Sequence, residues 1–418
     1  MFKITLHLLY IDPGTGSMLF SIIIGVTASL YFVMRSLLLK IKFLITGGKK
    51  ILHSKNKYVI YAEDKRYYSL FLPVLTECEK RGIDLLYLTS SNDDPVFSAG
   101  FKHIKAEYIG VGNKAFARLN FISADFLLSS TAGLDVYQWK KSKNVKHYSH
   151  LLHSVSETST YELFGIDYYD SYLVSSDSFQ TNDIRKIKKI RGLPEKTILT
   201  VGCAYLDVYS EKMKTLPKEE NHIFTVLISP SWGKTSLLVK YGEKIINPLL
   251  NTNWKIIIRP HPQSLTVEKD IINSLTRKYE NNANIEWDFD RDNVASLSKA
   301  DIMISDFSGI IFDYMFLRNK PVIYACEDMD LRRFDSHLIY NNQYEMFTFK
   351  VLKKAGVKLT EDLFPKLPEI IQKTSSDSNV LSAISDAKNE AWKYQGESGK
   401  RIVDFMEETT VKEEIKIA

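Results

Sequence analysis

The sequence predicts an α/β protein with two Rossmann-like domains facing a cleft, preceded by a transmembrane helix. Three observations predict it. Short apolar runs rich in β-branched and aromatic residues alternate with longer amphipathic segments, the pattern of a parallel sheet flanked by helices. That series runs twice, and between the two runs the hydrophobic pattern lapses into the polar, proline-bearing segment Leu216–His222. Finally, no charged residue occurs from Pro13 through Met34. Two doubly wound halves in succession set a crevice at the carboxyl ends of their strands, where ligands of such folds bind.

The elements follow in chain order. As a helix rising ~1.5 Å per residue, Pro13–Met34 is about 30 Å long, the thickness of a bilayer core. Arg35, Lys40, Lys42, Lys49 and Lys50 follow it and only Lys3 precedes it, which places its C-terminal side in the cytoplasm. A cleaved signal peptide would carry its charge ahead of the apolar run. A buried core helix would carry a polar stripe, and Met18–Met34 has none. Residues 1–50 are therefore read as a membrane anchor. Residues 51–215 form a first Rossmann-like domain, with strands at Tyr58–Ala62, Asp84–Thr89, Ile104–Ile109, Asp125–Ser129 and Tyr148–Leu152 and a helix at Tyr67–Glu79. Residues 216–390 form a second Rossmann-like domain. Its strands are Phe224–Ile228, Trp254–Ile258, Asp301–Ser305 and Pro321–Tyr324, with helices at Ser236–Leu250 and Val267–Tyr279. Thr374–Asn379 reads as a linker, and residues 391–418 as a C-terminal helix.

Composition narrows the function. The chain has 418 residues, 44% of them hydrophobic, enough for two cores. Lys and Arg number 55 against 50 Asp and Glu, interspersed along the chain, so the net charge of +5 builds no basic face for nucleic acid. Cys78, Cys203 and Cys326 are isolated. They suit neither a disulfide framework nor a zinc site, and point to free thiols in a reducing compartment.

Three segments carry the candidate chemistry. In Asp301–Tyr324 a strand ends at Ser305, a turn of small residues follows, and a helix opens near Ser308. Free backbone N–H groups and the positive end of a helix dipole suit a phosphate there; Ser308 adds a hydroxyl donor and Gly309 lets the phosphate approach. Asp306 or Ser308 could equally serve as a helix cap. Trp254–Pro262 is a buried strand ending in Arg259-Pro260-His261-Pro262, whose prolines hold a guanidinium and an imidazole at the strand end. Tyr148–Ser154 places His150 and His153 at another strand end. His153 can act as a general base toward an acceptor hydroxyl, with a core histidine as the plainer reading.

These residues together resemble the CDP-glycerol glycerophosphotransferase family of teichoic acid synthesis, which has the GT-B architecture. Arg259-Pro260-His261-Pro262 and Asp306-Phe307-Ser308-Gly309 with Phe312-Asp313 and Lys320-Pro321 are similar to its two C-terminal signatures. Ser229–Gly233 resembles its Ala-Pro-Thr-Trp segment, and Gly202–Asp207 its Gly-x-Pro-x-x-Asp turn. His153 falls where the family has a His-Gly pair whose histidine is the base, and Tyr394–Val403 resembles the start of its last helix. The chain departs from the family at Ser154, Ala204 and Gly309, where the family has Gly, Pro and Ser.

The resemblance implies an enzyme that moves glycerol phosphate from CDP-glycerol to a lipid-linked acceptor at the cell membrane, with catalytic domains in the cytoplasm. Arg259, His261, Ser308 and Gly309 would hold the diphosphate, with Asp306 and Asp313 orienting the turn and helix. His153 and His261 would be the catalytic pair. No obligatory metal and no cofactor are expected. A nucleotide-sugar glycosyltransferase of surface polysaccharide synthesis is the alternative. A membrane scaffold without turnover is a third reading, suggested by Ser154 and Gly309.

Overall fold

A computed structural model describes residues 13–43, 56–217, 222–290, 292–306, 308–325 and 329–417; of these, the side chains of 13–21, 36, 39–40, 42–43, 413–414 and 416–417 are not described. Cys326, the basic pair Lys49 and Lys50, and the middle of the Leu216–His222 lapse lie outside the described residues. Cys78 and Cys203 are buried free thiols.

Apolar residues in consecutive positions mark strands covered on both faces, as parallel sheets are. Val59, Ile60 and Tyr61 in β1 (Asn56–Ala62) are at most 1% exposed, and Phe126, Leu127 and Leu128 in β4 (Ala124–Ser129) are fully buried. These two strands centre a seven-stranded sheet of order β3-β2-β1-β4-β5-β6-β7, parallel throughout. Its other strands are β2 (Leu85–Thr89), β3 (Ile104–Tyr108), β5 (Val145–Leu151), β6 (Ser171–Val174) and β7 (Thr197–Thr200). A second parallel sheet comprises β8 (Thr225–Ile228), β9 (Lys255–Ile258), β10 (Ile285–Trp287), β11 (Ile302–Asp306), β12 (Val322–Ala325) and β13 (Gly356–Lys358). Its order is β10-β9-β8-β11-β12-β13. In each sheet the strand order reverses once, between β1 and β4 and between β8 and β11, and a doubly wound sheet opens its binding crevice at that reversal.

The chain crosses back to the first lobe at its end. Ile402, Val403 and Met406 of the helix Ser398–Ile417 pack with Leu70, Phe71 and Val74 of the helix Tyr68–Arg81. Tyr58 and Thr410 hydroxyls meet at 3.1 Å. Asp207 anchors this return by accepting from Trp392 Nε1 at 2.9 Å and from the backbone N–H groups of Gly396 at 2.8 Å and Ser398 at 3.2 Å. Gly202 makes room for it: at φ +95° a Cβ would sit 2.6 Å from the Lys393 carbonyl oxygen. The Gly202–Asp207 turn is thus a clasp between lobes and not part of the cleft chemistry.

Two expected elements differ. Ser236–Leu250 is not one helix but Leu237–Lys240, Glu243–Ile246 and a 3-10 turn Asn247–Leu249. It breaks at Gly242, whose φ of +36° an α-helix does not accept, and again at Pro248. Thr374–Asn379 is no linker, because Thr374 and Ser375 end one helix and Ser378 opens the next.

The N-terminal helix runs Pro13–Phe43. Among the described residues no helix is long and apolar enough to cross a membrane. The span expected over Pro13–Met34 is therefore not established by them, and the side chains of its first residues, 13–21, are outside that set.

Buried charge joins the lobes. The Arg191 guanidinium donates to Asp167 at 2.6 Å in its own lobe and to Asp335 of the other, and lies 4.2 Å from the Phe164 ring centroid. Removing one partner from such a cluster leaves the others buried and unpaired. Arg191→Met is expected to lower unfolding free energy by about 3–5 kcal/mol, read from urea denaturation. A loss below about 1 kcal/mol would show that the cluster does not hold the lobes.

Candidate active site

Each sheet brings its strand ends to the cleft, and the reversal points carry the polar groups. On the second lobe, Ser229 and Pro230 follow β8, Arg259 to Pro262 follow β9, and Ser308 and Ile310 follow β11. Together with Asn293 they line a cavity of about 240 Å³. The helix Ile310–Arg318 starts there, and its first internal bonds run from the Ile311 N–H to Ser308 and from the Phe312 N–H to Gly309. The N–H groups of residues 308–310 precede those bonds and have no backbone acceptor among the described residues, as at a helix start.

His261 is held in one tautomer. Its Nδ1 accepts from the Gln263 backbone N–H at 3.1 Å, so the proton of the neutral ring sits on Nε2. Burial lowers its pKa, Arg66 and Arg259 lower it further, and the Asp306 and Glu268 carboxylates oppose them. The net result is a neutral N–H donor. Trp232 flanks the ring at 6.3 Å between centroids.

The other predicted residues take different places. Arg259 is 6% exposed and donates to Asp288 at 2.6 Å, so one edge of the guanidinium is committed to a carboxylate. Burial pushes the Asp288 pKa up, but Ser296, the Asp290 N–H and Arg259 together bring it below the usual carboxylate range. Arg259 lines the cavity as a tethered cation and not as an open clamp. Asp306 spends both oxygens on backbone, accepting from the Ser231 N–H at 2.7 Å and the Leu237 N–H at 2.9 Å. It fixes the loop after β8 and lines a neighbouring cavity of about 410 Å³ with Ser231, Thr235, Tyr241, Lys358 and Thr360. Gly309 has an ordinary helical φ of −55° and open space where a Cβ would stand. Asp313 is away from both cavities, at the lobe junction, where it accepts from the Tyr205 hydroxyl at 2.6 Å.

On the first lobe, β5 delivers His153 to the cleft. Its Nδ1 lies 2.9 Å from the Ser130 hydroxyl and 3.2 Å from that of Tyr161, and its ring stands edge-on to Tyr67 and Tyr161. Burial, with Arg66 adding to it, depresses its pKa to about 4, so the ring is neutral and able to accept a proton. A cavity of about 180 Å³ beside it is lined by Ser154, Ser156, Glu157 and Thr160 among others. His150 is fully buried behind it. Arg66, on the 3-10 turn Lys65–Tyr67 after β1, lowers the pKa of both His153 and His261.

Ser130, Tyr161, Arg66 and Asn293 were not singled out from the sequence. Ser130 and Arg66 follow β4 and β1, the reversal pair of the first sheet, so the strand-end rule applied to that lobe points to them.

Two parallel doubly wound sheets, each with its reversal point, define an α/β protein of the GT-B type. The chain belongs to the family described as CDP-glycerol:poly(glycerophosphate) glycerophosphotransferase, which it matches over residues 140–408. It is accordingly a CDP-glycerol glycerophosphotransferase. No curated protein matches its sequence. Solved structures agree on the fold. The wall teichoic acid polymerase TagF is similar with a TM-score of 0.54 and 14% identity over 91% of this chain and 98% of that one. A histidine variant of TagF soaked with CDPG gives 0.53 and 13% over the same shares. UDP-GlcNAc 2-epimerase of Methanocaldococcus jannaschii, in complex with UDP-GlcNAc and UDP, gives 0.55 and 16% over 84% of this chain and 99% of that one.

Burial pushes the Asp313 pKa up to about 7, against the lowering effect of the Tyr205 hydrogen bond. The unfolded chain releases that proton near its ordinary value of 3.8, so between about pH 4 and pH 7 the folded protein binds more protons. The contribution is full below that window and is lost as pH rises through it. Asp313→Asn keeps an acceptor for Tyr205 and cannot ionise, so it should gain stability relative to the wild type as pH rises through the window. Urea midpoints taken across it test this, and parallel curves for the two proteins would refute the assignment.

Proposed function

We propose that this enzyme transfers glycerol phosphate from CDP-glycerol to a hydroxyl of a lipid-linked acceptor, releasing CMP, in the synthesis of a teichoic-acid-like surface polymer. The observation that carries this reading is two neutral imidazoles in the field of Arg66, one bearing a fixed N–H and the other a protected Nδ1. The diphosphate occupies the cavity between Ser308 and His261, with cytidine in the larger neighbouring cavity beside Tyr241 and Thr360. His153 takes the acceptor hydroxyl proton on Nε2. The oxygen attacks the β-phosphorus, and the bond from that phosphorus to the oxygen bridging to CMP breaks. The His261 Nε2–H and the N–H groups of residues 308–310 stabilise the charge that develops on the phosphoryl oxygens and the departing CMP. Such donors cost no reorganisation in the transition state, which is where this reaction needs help.

The N-terminal helix is read as the membrane anchor, with the catalytic lobes on the cytoplasmic side. Its 31 residues rise about 46 Å at ~1.5 Å each. Its described apolar residues face every direction and are all exposed, among them Ile22 at 52% and Phe32 at 64%. A helix apolar all round is stable only under a cover, and a bilayer supplies one.

Membranes incubated with labelled CDP-glycerol and a glycerol-phosphate lipid should form labelled lipid product and CMP. His153→Ala should lower the rate at least about a hundredfold while the protein stays folded. Full activity in that variant removes the assigned base, and turnover with a UDP-sugar in place of CDP-glycerol removes the donor. Deleting residues 1–43 should release the protein from the membrane fraction, and retention in high-salt washes would refute the anchor.

A further inference from the structure

We propose that Tyr161 is the positioning residue for His153, turning the imidazole so that Nε2 and not Nδ1 meets the acceptor hydroxyl. This rests on the reading of His153 as the base. Two hydroxyl oxygens flank Nδ1, from Ser130 at 2.9 Å and Tyr161 at 3.2 Å, and they close that edge of the ring to substrate. The Tyr161 hydroxyl also lies 2.9 Å from His150 Nε2. It therefore joins the two histidines.

Proton placement gives the joint its use. For Nε2 of His153 to accept, Nδ1 must carry the hydrogen and donate it to an oxygen. The Tyr161 oxygen can take it only by turning its own hydrogen to His150 Nε2, which must then present a lone pair. His150 suits that part: it is fully buried between the rings of Tyr161 and Tyr169, and burial holds it neutral. Its Nδ1 has no hydrogen-bond partner among the described residues, so Tyr161 is the one group seen to orient it. Once His153 has gained the acceptor proton, the oxygens of Tyr161 and Ser130 face the new positive charge at Nδ1.

Tyr161 is itself held from the far lobe. Its carbonyl accepts from the Asp335 N–H at 3.1 Å, and Glu162 and Phe334 pair as an antiparallel bridge. Phe164, at φ +65°, donates its N–H to the Asp335 carboxylate at 3.3 Å. The tyrosine that aims the base of one lobe is thus pinned to the lobe that holds the donor.

The test uses full-length enzyme in membranes, with CDP-glycerol as labelled donor and His153→Ala as reference. Tyr161→Phe removes only the hydroxyl. It should lower kcat about tenfold with KM for CDP-glycerol and the melting temperature unchanged. Ser130→Ala should cost about threefold or less, and the double variant should lose more than either single variant while staying above His153→Ala. Wild-type kcat in Tyr161→Phe, with His153→Ala inactive, overturns the positioning role. An active His153→Ala instead overturns the underlying base assignment. If Tyr161→Phe melts early, nitrogen-15 NMR of His153 in the intact protein decides: one tautomer protonated at Nδ1 supports the proposal, and a ring protonated at Nε2 or exchanging between tautomers overturns it.

Discussion

A buried carboxyl group without a partner costs more than the packing around it returns, and this fold places several such groups where its lobes meet. Asp335 finds Arg191 across the junction, and Glu157 accepts from both the N–H and the hydroxyl of Thr348, at 2.8 and 2.9 Å. Asp183 finds Tyr340 and Asp313 finds Tyr205, each at 2.6 Å. Apolar packing alone would let the lobes slide, because it is non-directional. Phe179 stacks on Phe347 with centroids 4.0 Å apart, and a shifted stack would cost little. The polar pairs each need one geometry, so they fix the register in which the lobes meet.

That register explains why the cleft works with neutral groups. Both histidines lie in surroundings that disfavour a cation, and Arg66 stands near each. A substrate bearing a diphosphate brings negative charge into this field. In the proposed transfer the fixed cations and dipoles act on the phosphoryl oxygens, while the histidines remain free to move a proton. Had the His153 ring been charged at rest, it would have no lone pair with which to accept a proton.

The strand pattern was legible in the sequence wherever burial was two-sided, as at Tyr58–Ala62 and Trp254–Ile258, because continuous apolar runs leave little alternative. β6 and β7 escaped because their short runs, Ser171–Val174 and Thr197–Thr200, mix hydroxyl residues with apolar ones. The cavity residues His261 and Ser308 were legible because they sit at strand ends, which local sequence marks. Tyr161 and Arg66 were not, since each reaches the site through loops whose course is set by the other elements. Asp306 and Asp313 show the converse limit. Their motif is visible, but only the fold reveals that one carboxylate is spent on the Ser231 and Leu237 N–H groups and the other on Tyr205.

The departures from the family pattern can be weighed on the same physical terms. Glycine is required where φ is positive or where a Cβ would strike its surroundings. Among the described non-glycine residues positive φ occurs at Asp135, Phe164, Asn319 and Tyr394, so Ser154 has a backbone any residue adopts. Its hydroxyl is taken up by Ser156, and the loop it belongs to is fixed by Gln180, which donates to the carbonyls of Ser154 and Ser156 at 3.0 and 2.8 Å. Gly309 likewise adopts an ordinary helical conformation with open space at its Cβ, so a serine there would add a hydroxyl without moving the chain. Neither exchange alters the path of the backbone or removes a helix-start N–H. The two hints of an inactive scaffold therefore leave the cavity beside Ser308 and the surroundings of His153 intact.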